Sequence, residues 1–255
     1  MLQGAAGSLV DWLASWRREL RFAGYALAAA LSPSTYAPAT RIVAVKQIYF
    51  TAWQILLPFT LFAALFSLVV IEITFTVARN FDLSQFALEL ILRALVLELL
   101  PLLIALFVAL RSGAAIATEI ALMRHSGEIE AAGEHFLRHQ LVPRVAAAAV
   151  SVVSLIVLNC ALAMVLTYVA LYGLSPWGFD EYTRVVGKVF SLPILAGFAL
   201  RCVLFGAAVA VIPIVAGLDA TQRVKSAPVA VLNGMVRLFF VLGLIEVVSL
   251  AAKYI

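Results

Sequence analysis

Five long apolar stretches dominate the chain, near 51–77, 86–110, 145–173, 190–217 and 228–252. A helix needs roughly 20 apolar residues to cross the hydrocarbon core of a bilayer, so each is long enough to span with tilt or to extend beyond the lipid. Pro58, Pro101, Pro193 and Pro213 fall inside these stretches; membrane helices tolerate proline where neighbours satisfy the freed carbonyls. A different pattern precedes them. In SLVDWLASWRRELRF, Leu9, Trp12, Leu13, Trp16 and Leu20 recur at helical spacing on one face, Arg18 and Arg21 lie off it, and Arg17 flanks it. Tryptophan rings at the lipid boundary with guanidinium groups meeting phosphate suit an amphipathic helix lying in the headgroup region. The pattern predicts such an interfacial helix over about 8–30; the alternative is a helix packed on a soluble partner. SPSTYAPAT (32–40), with two prolines, ends it. The predicted organisation is an interfacial helix and linker over 1–45, then a five-span domain over 46–255.

Composition agrees with an all-α integral membrane protein. Of 255 residues 64% are hydrophobic and 13% charged, with mean hydropathy +1.07. A soluble domain carries about 25% charged residues, and one with this much apolar surface would not stay dispersed. A cytosolic enzyme and an extracellular module are therefore excluded. The net charge of +4 reflects basic loops and no basic run interleaved with aromatics, so nucleic acid is not an expected partner. Cys160 and Cys202 lie in apolar runs and read as small hydrophobes.

The loop charges predict orientation. Arg17, Arg18, Arg21, Arg41, Lys46, Arg111, Arg124, Arg138, Arg144, Arg223 and Lys225 fall on one side of five crossings, against Arg79, Arg184, Lys188 and Lys253 on the other. The positive-inside rule then places the N-terminus in the cytoplasm and the C-terminus outside. The connection 111–144 is the longest between spans and rich in Ala, Glu and His. It is a candidate docking surface, the plainer reading being a solvated loop. No internal repeat is evident, which disfavours a carrier built of two echoing halves.

Chemistry-bearing motifs are sparse. No G-x-x-x-x-G-K-[ST] is present to cradle a nucleotide phosphate. His135 and His139 stand four apart beside Glu128, Glu130 and Glu134, a spacing that puts both on one helix face, but a charged aqueous loop explains them without a metal. Ser112 has no histidine in any span to act as its base. The informative residues are charges inside apolar runs: Glu98, Arg201 and Glu246. On insertion scales such a charge costs about 2.5–3.5 kcal/mol at the bilayer centre and normally faces a cavity, a partner or a permeant group. The plainer reading is an internal ion pair of Glu98 or Glu246 with Arg201. Glu89 and Arg93, four apart with Glu first, read as a helix-surface pair.

From Lys46 onward the sequence resembles the MlaE/YrbE permeases, membrane subunits of ABC transporters that work with MCE-domain proteins to move lipid across the bacterial envelope. KQIYF (46–50) matches a Gln-aromatic approach to the first span. The match is strongest over 97–131, where Glu98, Pro101, Arg111, Gly113, Glu119, Met123, Arg124, Glu130 and Ala131 fall in register. Pro143-Arg144 matches the Pro-Arg that opens the third span. Arg201 with Phe205-Gly206 matches a Lys-x-x-x-Phe-Gly, and Gly217-x-Asp219-Ala220 a Gly-x-Asp/Glu-Ala. Glu246 falls where the family has Asp. The chain departs at Leu97 and Leu100, which replace Arg and Gly around Glu98, and at Ser67, where Gly is usual. The run after Ala131 is shorter, and SAPVAVL (226–232) replaces a Gly-Val-Gly-x-Ala-Thr-Thr-like stretch.

The resemblance implies a homodimer with a lipid-holding cavity, a coupling helix at about 115–135 seated on a cytoplasmic ABC ATPase dimer, and a periplasmic MCE ring. The expected location is the bacterial inner membrane, and the expected cargo is phospholipid. No cofactor is expected on this chain; ATP and Mg belong to the partner ATPase. For the lipid pathway or cavity the expected residues are Glu98, Leu97, Pro101, Arg201 and Glu246. For coupling they are Glu119, Arg124, Glu128, Ile129, Glu130 and Ala131, and for the membrane interface Trp12, Trp16, Arg17, Arg18 and Arg21. The competing readings are a stand-alone ion-coupled carrier and an intramembrane metal-dependent hydrolase.

Overall fold

The computed structural model describes Gly24 and residues 54–129, 141–219 and 227–254. The expected interfacial helix with Trp12, Trp16, Arg17, Arg18 and Arg21, and the 46–50 motif, lie outside the described residues. The described residues are helical, with no strand among them. Six helices follow in order: α1 (Gln54–Asn80), α2 (Ser84–His125), α3 (Val142–Tyr172), the short α4 (Phe179–Val189), α5 (Leu192–Asp219) and α6 (Ala227–Tyr254). All but α4 contain a stretch long and apolar enough to cross a membrane.

The spans agree with the hydrophobic pattern except in α2. The pattern ends this span near Leu110, before Arg111, yet the helix continues to His125, giving 42 residues, about twice what a crossing requires. Packing explains the difference. Beyond Arg111 the helix buries Ser112, Gly113, Ile116, Ala117, Ile120 and Ala121, so tertiary contacts continue a helix that a polar residue appeared to end. Two wide π-helical segments, Leu92–Leu99 and Ala109–Gly113, interrupt its α-helical repeat. Such turns shift which residues share a face and recur at functional sites. The helix stops at Ser126 and Gly127: Ser126 N–H donates to the Leu122 carbonyl, Gly127 N–H to that of Arg124, and Gly127 has a φ of +77°. A glycine with positive φ is the usual way to end a helix. The segment 115–135, expected as one connector helix, is thus divided at this turn, and a new helical stretch begins at Glu128.

The described residues fall into two compact units. The first comprises those of Val108–Val150 and Ala207–Val241. Its core is formed by Ile116 and Ile120 of α2, Leu141 with Val145 and Ala148 of α3, and Ala210, Val211, Ile214 and Val215 of α5. Glycine permits close approach between helices here. A Cβ on Gly217 would lie 2.7 Å from the Ala117 carbonyl oxygen, and one on Gly234 2.2 Å from the Ala216 Cβ. Where lipid supplies no hydrophobic force between helices, such small-residue contacts carry much of the association.

The second unit comprises the described residues of Tyr49–Phe107, Ser151–Gly206 and Leu242–Ile255. Phe59 of α1 packs on Phe107 of α2, with ring centroids 4.3 Å apart. The Cys160 thiol of α3 donates to the Val96 carbonyl of α2. The α4 helix buries Tyr182, whose hydroxyl donates to the Met164 carbonyl at 2.8 Å. Burial pushes this phenol up to about 12. Leu174 and Trp177, between α3 and α4, are almost fully exposed, as residues at a membrane–water boundary are.

Apolar faces are left outward where lipid would cover them. In α1 and α6 only 22% of the apolar stretch is buried, against 67% in α5. Leu57, Leu61, Leu65, Val69 and Ile73 line the bare side of α1. This is the surface of a multi-pass membrane protein.

The close contact at Gly217 predicts that Gly217→Ala lowers stability by about 1–3 kcal/mol through overpacking. Nothing lies within 4 Å of a Cβ on Gly243, so Gly243→Ala should be neutral or stabilise by up to about 1 kcal/mol. Thermal unfolding in mild detergent compares the two; equal effects would contradict the packing described.

Candidate functional site

The three charges singled out inside the spans meet in the second unit. Arg201 of α5 has a side chain only 2% exposed. Its Nη1 donates to Oε2 of Glu98 on α2 and lies 3.2 Å from both carboxylate oxygens of Glu246 on α6. Lys253, two turns beyond Glu246 on the same helix, donates to Oε1 of Glu98. Two carboxylates and two cations form a charge-neutral quartet. Neutrality is what an apolar medium demands, because an unpaired ion there is too costly to keep. Arg201 Nε is buried and has no hydrogen-bond partner among the described residues.

The position of the quartet follows from the helices. Glu98 is fourteen residues from the start of α2, Arg201 nine from the start of α5, and Glu246 eight from the end of α6. At 1.5 Å per residue these depths are about 12–21 Å. In a chain whose successive spans alternate in direction, those three ends share one side of the membrane.

Two clefts adjoin the quartet. One, of about 400 Å³, is lined by Glu98, Glu246, Lys253 and Arg93 together with apolar residues that include Leu90 and Leu102. The other, of about 570 Å³, has Arg201 and Lys253 among walls that include Leu200, Leu204, Leu244 and Val248. Both volumes fall in the range of small-molecule sites. Leu97 and Pro101, expected beside Glu98, are buried and line neither cleft. Leu97 adjoins Glu98 in sequence and so points to another side of the helix.

Sequence reasoning overlooked Lys253 and Arg93 as site residues. Lys253 reads as a terminal loop charge, although its spacing of seven from Glu246 already puts the two on one helix face. Arg93 does pair with Glu89 as its spacing suggests, at 3.0 Å. The same carboxylate also accepts from Lys188 of α4 at 2.9 Å, which ties the short helix to the start of α2. No spacing rule reveals that contact, ninety-nine residues apart.

Of the residues expected for coupling, the described ones, Glu119, Arg124, Glu128 and Ile129, lie in the first unit. Glu119 is exposed and pairs with Arg144 at 3.1 Å. Arg124 is partly buried and Glu128 exposed. Ile129 packs against the core cluster beside Met123. Glu130 and Ala131, with His135 and His139, lie outside the described residues.

The pairing predicts unequal costs for removing the two cations. Arg201→Met leaves two buried carboxylates without their shared partner and should cost about 3–5 kcal/mol. Lys253→Met leaves Glu98 still bound by Arg201 and should cost no more than about 1 kcal/mol. Thermal unfolding of both variants decides this; equal losses would show that Arg201 is not the hub.

Comparison with known proteins adds the family. No curated protein gives a significant match. The family model for Permease MlaE matches residues 44–252, which include every described helix except the last two residues of α6 and hold Glu98, Arg201 and Glu246, though not Lys253. The chain therefore belongs to the MlaE permease family, the membrane component of a lipid transporter.

Proposed function

We propose that this chain is the permease subunit of an ABC transporter that moves phospholipid between the bacterial inner membrane and a periplasmic MCE-protein carrier. The observation that carries the reading is the family match over 44–252. It is supported by buried charges set beside apolar clefts within apolar helices, an arrangement that is costly unless it serves a pathway.

In this reading the chain pairs with a second copy, its N-terminus is cytoplasmic, and ATP with Mg binds a separate ATPase. Closure of the ATPase pair pushes on the connector around Glu119, Arg124, Glu128 and Glu130. Ile129 is seated against a core shared by α2, α3 and α5, and packed cores move as bodies because they do not deform continuously. The push is therefore carried into these three helices. In this reading α2, which bears both Glu119 and Glu98, passes the motion of the connector to the charged cleft. There the apolar walls take acyl chains, and the quartet acts as brace or gate for the polar headgroup.

Tagged protein purified from its own membranes in mild detergent should carry a second copy, an ATPase pair, an MCE ring and retained lipid, read by mass spectrometry. In that complex Glu130→Arg should leave ATP hydrolysis but abolish lipid transfer. A chain that repeatedly emerges alone and takes up substrate on an ion gradient would overturn the reading.

A further inference from the structure

The cations beside the clefts are not equivalent. Arg201 is enclosed and serves two carboxylates. Lys253 is 28% exposed and lines both clefts. In the smaller cleft it is joined by Arg93, 45% exposed. Each of these accessible cations is held by a carboxylate that has another cation of its own. Glu98 keeps Arg201 if Lys253 leaves, and Glu89 keeps Lys188 if Arg93 leaves. Either cation can turn to a new anion while the carboxylate it leaves keeps a hydrogen-bonded cation.

We propose that the cleft binds the anionic headgroup of a lipid through Arg93 and Lys253 by ion exchange, so that the chain selects lipids of net negative charge over zwitterionic ones. This rests on the lipid-permease reading and names its substrate class. A phosphate oxyanion accepts the forked donors of Arg93 and the point charge of Lys253, and hydrogen bonds between ions are about twice as strong as neutral ones. A zwitterionic headgroup brings an ammonium with it, quaternary in phosphatidylcholine. Among the described residues the carboxylates it would meet already hold a cation: Glu89 keeps Lys188, and Glu98 and Glu246 share Arg201. The chemistry recognised is a phosphate anion, which a free phosphate ion shares. The apolar walls at Leu90 and Leu102, and at Leu200 and Leu244 in the adjoining cleft, assign it to a lipid, since they add affinity only for a ligand with acyl chains.

The test is competition between phosphatidylglycerol and phosphatidylcholine of identical chains, equimolar, on the delipidated full chain in mild detergent, with adducts counted by native mass spectrometry. Phosphatidylglycerol should be favoured about fivefold to tenfold. Lys253→Met and Arg93→Met should each bring the ratio towards one without reducing phosphatidylcholine adducts, and Lys253→Arg should retain the preference. Glu98→Gln, which removes the competing carboxylate, should raise it. Millimolar inorganic phosphate should leave phosphatidylglycerol bound; displacement at that concentration would assign the site to free phosphate and overturn the proposal. A wild-type ratio near one with both lipids bound would overturn the charge selection and leave the permease reading standing. Binding of neither lipid would overturn both.

Discussion

Arg201 sits where an apolar protein can least accommodate a charge, and the arrangement of the second unit answers that problem. A guanidinium cannot shed its proton, so burial must be matched by anions. Glu98 and Glu246 supply them from two other helices, and Lys253 restores neutrality by taking the second oxygen of Glu98. One side chain thereby links α2, α5 and α6 through hydrogen bonds that a lipid environment would otherwise leave unmade. A network of this kind contributes little net stability compared with well-packed apolar residues of the same volume. Its place beside two clefts fits the role proposed for it towards a polar ligand.

The first unit solves a different problem. Its core is aliphatic, and its helices approach through Gly217 and Gly234, where a methyl group would meet a neighbour. Close packing makes it stiff. Ile129 packs against that core while Glu128 beside it is exposed, an arrangement that suits the docking role proposed for the connector. Two wide π-helical segments interrupt the α-helical repeat of α2.

Much of this was legible in the residues. Long apolar runs cannot be hidden in a soluble fold, so the five spans followed from composition and length alone. The rarity of charge inside those runs made Glu98, Arg201 and Glu246 conspicuous, and their mutual pairing was one of the two readings their cost allowed. The end of α2 was not legible, because Arg111 looks like a boundary and only contacts far away in sequence keep the helix going. Lys253 and Arg93 escaped for a related reason. Each stands near a helix end, where a cation is ordinary, and its role comes from partners or a cleft that periodicity does not disclose. Leu97 adjoins Glu98 in sequence but lines neither of the two clefts described, because adjacency in sequence is not adjacency on a helix face.

Removing the whole network at once separates a brace from a pathway. The variant Arg201→Met with Glu98→Gln, Glu246→Gln and Lys253→Met leaves no ion of the quartet unpaired and should fold about as stably as the natural chain. Lipid transfer by the assembled transporter carrying it, measured against the unaltered complex, is the decisive quantity. The account predicts a stable, assembled complex that no longer moves lipid. Transfer at the unaltered rate would show that the charges serve only to hold the helices together.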